Sequence, residues 1–325
     1  MDFNTRRIFC IFIVLLSVAN LSGCIFTETD SSNDSENENA NENTEPYTMT
    51  THCIEFELPE RCFMLLVPHN ITGDVPSTLV VELHGMGDTN QMQFELSAFA
   101  QLAVEQNFIV AYPQGEELIW SLDVEEVDNG MDDVGFLLAV IEHIKEMHSI
   151  DENRIYMTGW SMGCMMTQLF AHEAQGILAS AGCMSGYLMK DVSATISIPI
   201  PFMEIHGVLD SVVQYADNSV NFMIGFQSTR GLNVGAMQNL ERWSNLNGCS
   251  GVVPEVFDSN DDFDIRGYSE CENGVEVRLM SLYLARHNPY INDHDVHNKP
   301  GNPTDTPSTR ILWEFMSQYE KQEFF

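Results

Sequence analysis

Apolar and polar residues divide the chain into three stretches. An unbroken apolar run from Ile8 to Val18, spaced only by Ser17, follows Arg6 and Arg7. From Thr27 to Thr50 apolar positions almost disappear. Beyond Thr50, short apolar runs closed by Pro or Gly alternate with longer segments of helical composition. "CFMLLVP" at 62–68, "TLVVELHG" at 78–85 and "FIVAYPQG" at 108–115 are expected as strands. "QFELSAFAQLAVEQN" at 93–107 is expected as a helix. So is 132–148, where Val134, Leu137, Leu138 and Ile141 form one apolar stripe and Phe136, Val140, Ile144 and Met147 another. Asp132 or Asp133 can cap its first turn. A strand at 154–158, a helix from Met162 to about His172, strands at 180–186, 198–207 and 275–284, and a closing helix from Thr309 to Tyr319 complete the pattern. Strands alternating with helices imply a doubly wound, mostly parallel sheet with helices on both faces. With no repeat and no second linker, residues 51–325 are expected as one α/β domain.

The first stretch has the basic-then-apolar order of a secretory signal and is too short to span a bilayer as a mature helix. It ends in "LSGC", Leu21 to Cys24, which resembles the lipobox of prokaryotic lipoproteins. Residues 1–23 are therefore expected to be removed, with Cys24 acylated as an anchor on the outer face of the cell membrane. "TRRIF" also resembles a twin-arginine signal, so the export route stays open. The second stretch, taken as 24–50, carries seven acidic residues and no Lys or Arg. It cannot bury enough apolar surface to offset its ordering entropy and is expected as a disordered tether.

Charge narrows the partners. A net charge of −34 over 325 residues repels phosphate backbones, so nucleic acid is not an expected partner. The same acidity fits plain solubility or a high-salt habitat. Of eight cysteines, loss of Cys10 and lipidation of Cys24 leave six, an even number that export allows to pair. Cys53 with Cys62 and Cys249 with Cys271 each bound a short segment and are the preferred pairs among several connectivities. No metal-ligand spacing stands out, and His294 and His297 in "HDVH" are expected to be solvated in a loop.

The chemistry centres on "RIYMTGWSMGCMM". Gly159-Trp160-Ser161-Met162-Gly163 fits G-x-S-x-G between a strand and a helix, where a sharp turn lifts the serine hydroxyl above the sheet. A serine needs a base and an orienting acid to become nucleophilic. Asp210, in the loop past the strand in "EIHGVLDSVVQY", is the expected acid. His287, three residues beyond the strand ending at Leu284, is the favoured base, with His294 and His297 further along. His84, His143, His148, His172 and His206 are expected in core or surface roles. The oxyanion of an acyl-transfer intermediate needs N–H donors. Met162, following the serine, should supply one, and Met86 in "HGMGD" the other, with Gly85 and Gly87 as alternatives.

Taken in order, "VVELHGMGD", "AYPQG", Trp120 to "DDVGF", "DENRIYMTGWSMGCMM", "EIHGVLDSVVQY", "RWSNLNGC" with Cys271, and "LWEFM" resemble the secreted esterases grouped as poly(3-hydroxybutyrate) depolymerase-like and feruloyl esterase-like. The resemblance runs over nearly all of residues 55–320. It implies an α/β-hydrolase fold, a serine esterase that needs no cofactor, and pairing of Cys249 with Cys271. The chain departs from the family at Cys164, where a glycine is usual, and at "LARHNPY", where a glycine-rich stretch commonly carries the histidine. Trp120 and Trp160 are candidates for lining the acyl pocket, with core packing as the alternative. The expected activity is hydrolysis of feruloyl or acetyl esters on polysaccharide, or of polyhydroxyalkanoate-type esters. A serine peptidase and a non-catalytic glycan-binding surface lipoprotein are the competing classes.

Overall fold

The computed structural model describes residues 45–56, 60–122, 129–189, 196–216, 235–288 and 302–321, together with two short strands at 222–223 and 226–227. The leader, Cys24, His294 and His297 lie outside the described residues. In chain order the elements are β1 (Tyr47–Ile54), β2 (Arg61–Pro68), β3 (Ser77–Leu83), α1 (Asn90–Leu96), α2 (Phe99–Gln106), β4 (Ile109–Pro113), α3 (Asp133–Met147) and β5 (Ile150–Gly159). They continue as α4 (Met162–Glu173), β6 (Ser180–Met184), β7 (Phe202–Gly207), β8 (Phe222–Met223), β9 (Phe226–Gln227), α5 (Ala236–Leu246), β10 (Glu255–Ser259), β11 (Phe263–Tyr268), β12 (Val277–Leu282) and α6 (Ser308–Met316).

Among the described residues, one sheet runs in the order β1-β2-β4-β3-β5-β6-β7-β12-β11-β10. Its middle, β4 to β12, is parallel throughout. β1 and β2 on one side, and β11 and β10 on the other, are antiparallel. Every residue of β3 and β4 is buried, as expected where helices cover both faces and both sides of the pleat must be apolar. Leu79, Val81 and Leu83 share one core with Phe136 of α3, Phe170 of α4 and Trp243 of α5. Val80, one step out of phase, joins Leu102 of α2 and Leu312 of α6 in the other core. The two-residue period of a strand thus feeds two separate cores.

Three expectations change. Tyr47 to Thr50 belong to β1 and pair with β2 from Tyr47↔Pro68 onward, so the sheet begins inside the segment whose composition suggests a tether. The alternating half-exposed pattern of β1 marks an edge strand, without the continuous apolar run of an interior one. The helix expected over 93–107 is two helices broken at Ser97, whose hydroxyl donates to buried Glu82 Oε2 at 2.8 Å while Gln93 Nε2 donates to Oε1 at 2.8 Å. α5 and the β10–β11 pair go unseen in the apolar pattern. β10 is largely exposed and carries Glu255 and Asp258, charges that suit an edge and discourage strand addition. At α3, Asp132 is the cap, accepting from Gly135 N at 2.8 Å, whereas Asp133 is buried against Arg61.

Among the described residues, three disulfides are present. Cys53–Cys62 joins directly paired residues of β1 and β2, Cys249–Cys271 ties the end of α5 to the segment after β11, and Cys164–Cys183 ties α4 to β6. The last explains the departure at residue 164, because the family's glycine could not form this link.

Candidate active site

Parallel strands deliver their C-terminal ends to one edge of the sheet, where loops can meet. β5 passes into α4 through Ser161, whose φ of 56° and ψ of −119° place a non-glycine residue in a region that costs on the order of 1–3 kcal/mol. The turn is held by Ser161 N–H donating to Met184 O at 2.9 Å and by Gly163 N–H donating to Trp160 O at 2.9 Å. Gly163 is required by close approach: a Cβ there would stand 2.2 Å from Leu83 O of the neighbouring strand. The serine is thus raised above the sheet, and Met162 becomes the first helical residue, with an N–H that has no partner within the helix.

Asp210 and His287 reach the serine from adjacent strands. β7 and β12 are parallel neighbours with Gly207 opposite Leu282. Their following loops are stitched by Val208 N–H to Leu282 O at 2.9 Å and Leu209 N–H to Ala285 O at 3.0 Å. Gly207 lets them cross, since a Cβ there would lie 2.4 Å from Arg286 O. The outcome is a continuous relay in which His287 Nδ1 lies 2.7 Å from Asp210 Oδ2 and His287 Nε2 lies 2.9 Å from Ser161 Oγ.

Asp210 is buried, and burial alone would raise its carboxyl pKa, yet His206 and His287 beside it hold it well below the usual carboxylate range. Val212 N–H and Val213 N–H donate to its Oδ1 at 2.8 and 2.9 Å, which fixes the carboxylate plane. Beneath it lies a polar layer absent from the sequence-based expectations. His206 Nε2–H donates to Val213 O at 2.8 Å with Asp210 Oδ2 at 3.4 Å, and His206 Nδ1 meets Glu204 Oε1 at 2.6 Å. Glu204 Oε2 accepts from Asn239 Nδ2 at 2.7 Å, and Asn239 Nδ2 also reaches Gln168 Oε1 at 3.0 Å. Burial opposes a charge on His206, but its bonds to Asp210 and Glu204 push its pKa up to about 10. The sequence does contain a signal for this layer: Glu204 and His206 are two polar residues on one face of a strand that is otherwise apolar.

The loop after β3 closes the other side. His84 accepts Gly115 N–H on Nε2 at 2.9 Å, so the ring is neutral with its proton on Nδ1, which donates to Gly85 O at 2.8 Å. Burial lowers its pKa to about 4, and its role is to brace the loop. Gly87 N–H is committed to Leu118 O at 2.8 Å, which removes Gly87 as an oxyanion donor. Met86 borders the same pocket as Met162, Ser161 and His287.

The two candidate tryptophans separate. Trp160 lines the pocket, with its indole N–H donating to His287 O at 2.7 Å. Trp120 is fully buried, packs on the His84 ring at 4.9 Å and donates to His84 O at 2.9 Å, so it supports the loop from the core and is not a pocket wall. The pocket, about 200 Å³, is walled mainly by Met86, Trp160, Met165, Val212 and Val213. Among the described residues, no group of three or more His, Cys, Asp or Glu is placed to hold a metal ion, and no helix is long and apolar enough to cross a membrane.

A family model described as Phospholipase/Carboxylesterase matches residues 71–229. Feruloyl esterase B of Piromyces equi is 26% identical over 234 residues, spanning 70% of this chain and 42% of that protein. The bifunctional acetylxylan esterase/xylanase XynS20E of Neocallimastix patriciarum is 30% identical over 264 residues, spanning 80% of this chain and 33% of that protein. The chain therefore spans less than half the length of either relative. The solved acetyl xylan esterase from Aspergillus awamori shares the fold with a TM-score of 0.56 at 15% identity, covering 76% of this chain and 97% of that one. Strand order, the strained serine turn and these matches give the chain the α/β-hydrolase fold, with residues 71–229 similar to the phospholipase/carboxylesterase family.

Proposed function

We propose that the chain is an exported serine esterase, tethered to the membrane through lipidated Cys24, that hydrolyses carboxylic esters through an acyl-enzyme. The observation that carries this reading is the relay from Asp210 through His287 to Ser161 at hydrogen-bond distances. Asp210 accepts the Nδ1 proton of His287, which leaves Nε2 free to take the proton of Ser161 as Oγ bonds to the ester carbonyl carbon. The carbonyl oxygen becomes an oxyanion received by the N–H groups of Met162 and Met86, each such donor being worth about 10²–10³ in rate. The protonated His287 then gives its proton to the departing alcohol oxygen, leaving the acyl group on Ser161. Water, deprotonated by His287, attacks the acyl carbon and releases the acid, and Ser161 recovers its proton.

Feruloyl or acetyl esters on polysaccharide rank first as substrates, in keeping with the names of the two relatives, and polyhydroxyalkanoate-type esters second. Three disulfides fit an oxidising compartment outside the cytoplasm. In the test, the protein is labelled with a fluorophosphonate and assayed on 4-nitrophenyl acetate. Ser161→Ala should lose labelling and drop turnover by at least ~10³-fold with an unchanged unfolding midpoint. Turnover at the unmutated rate would refute the nucleophile assignment.

A further inference from the structure

Asp88 borders the same pocket and is left unused by the mechanism above. It follows Gly87 in the β3–α1 turn, whose closure depends on the backbone: Asp88 N–H donates to Gly85 O at 3.2 Å and Gly87 N–H to Leu118 O. The cap of α1 is Thr89, whose hydroxyl accepts from Met92 N. Neither the turn nor the helix start therefore needs a carboxylate at position 88. That carboxylate nevertheless points into the pocket, because a Cβ placed on Gly85 would meet Asp88 Oδ2 at 3.0 Å and the Trp160 ring at 3.1 Å. Of the side-chain donors that line the pocket, Trp160 Nε1–H is committed to His287 O, and Ser161 and His287 to the relay with Asp210.

The contrast with Asp210 is informative. Asp210 is satisfied by two backbone N–H groups and His287. Asp88 receives no hydrogen bond from any described residue, and its carboxyl pKa is raised by burial and only partly restored by the nearby His287. Half-exposed at the pocket wall, this carboxylate is free to accept a hydrogen bond from a molecule bound there. Only Gly87 separates Asp88 from Met86 on one turn, so its oxygens border the space around the reacting carbonyl.

From this we infer that Asp88 is a specificity-determining residue whose carboxylate accepts a hydrogen bond from a hydroxyl of the ester substrate, favouring hydroxyl-bearing esters and disfavouring esters with a carboxylate at that place. The inference rests on the esterase reading above. The hydroxyl can belong to the alcohol side, as in a sugar ester, or to the acyl side, as in a hydroxyacyl ester, and the probes separate the two. Values of kcat/KM are compared for Asp88, Asp88→Asn and Asp88→Ala protein on acetylated xylo-oligosaccharide, 4-nitrophenyl 3-hydroxybutyrate, 4-nitrophenyl acetate and 4-nitrophenyl succinate. In Asp88→Ala, preference for one hydroxylated ester over 4-nitrophenyl acetate should fall by about tenfold or more, since a site built to pair a hydroxyl discriminates strongly against its absence. The ester whose preference falls identifies the side. In Asp88→Asn, preference for the succinate over the acetate should rise severalfold as like-charge repulsion is lifted. Unchanged ratios in both variants would overturn the inference while leaving the esterase reading intact. Failure of the unmutated protein to hydrolyse any of the four would overturn both.

Discussion

The serine and its two partners are held in place by different physics. On the serine side, position comes from backbone: the β5–α4 turn, a strained φ at Ser161, a glycine pressed on Leu83 O, and a disulfide from Cys164 to β6. Ten consecutive residues of α4, Met162 to Ala171, are buried. On the acid and histidine side, position comes from buried polar side chains stacked behind Asp210, from His206 through Glu204 and Asn239 to Gln168. A covalently braced, tightly packed turn tolerates little adjustment but needs no charge. A polar stack can place a charge below an imidazole, at the cost of depending on every member being paired. Gln168 lies on α4 itself and accepts from Trp243 Nε1 at 2.8 Å, so the two sides share one anchor.

The largest expected effect breaks the polar side at its tip. Asp210→Asn should keep the fold and lower kcat for 4-nitrophenyl acetate by about 10⁴-fold, because the amide no longer holds His287 in the tautomer that leaves Nε2 free. A loss below tenfold would mean that Asp210 does not orient His287.

Deeper in the stack, His206→Gln should destabilise the domain by about 3 kcal/mol, the lower end for breaking a buried pair. The effect carries a pH signature. The folded pKa of His206, pushed up to about 10, lies above the unfolded value of about 6.5. Its stabilisation is therefore complete below pH 6.5 and fades as pH rises toward 10. Urea unfolding of both proteins at pH 6 and pH 10 tests this, and an equal gap at the two pH values would count against a charged His206. The accompanying loss of kcat should be smaller than for Asp210→Asn, since His206 acts only through Asp210.

The serine side should respond more weakly and without a pH signature. Replacing Cys164 and Cys183 together by alanine opens a link of 19 residues' separation and should cost about 2 kcal/mol, at the low end for a disulfide because dense packing remains. Thermal unfolding at pH 6 and pH 8 should shift by the same amount. A strongly pH-dependent shift would show that the two sides are not separable in the way described.

The legibility of the fold follows the same division. Apolar runs in β2 to β7 announced themselves because interior strands, parallel here except β2, are covered on both faces. The edge strands β1 and β10, and β11 beside β10, did not, because strands at the margins of the sheet are half-exposed and share their composition with loops. The G-x-S-x-G turn was readable because its requirement is local: a strand, two small residues and a helix start. Asp210 and His287 were reachable through chain order and the ends of strands. The polar layer was not, because whether Glu204 and His206 are buried together depends on what α5 brings against them. Trp120 shows the same limit, since its ring is equally suited to a core or a pocket wall and only its packing on His84 settles the matter.

The amino-acid sequence by itself determined the acidic character of the chain, the alternation of strands and helices and the serine turn, and it favoured the Cys53–Cys62 and Cys249–Cys271 pairings, because these rest on composition, local periodicity, turn chemistry or short spacing. Tertiary structure alone decided the convergence of Ser161, Asp210 and His287, the stack beneath Asp210 and the place of the Asp88 carboxylate at the pocket wall. The reason is that burial and pairing of polar groups are properties of neighbours far apart in the chain: Ser161 and His287 are 126 residues apart yet 2.9 Å from atom to atom.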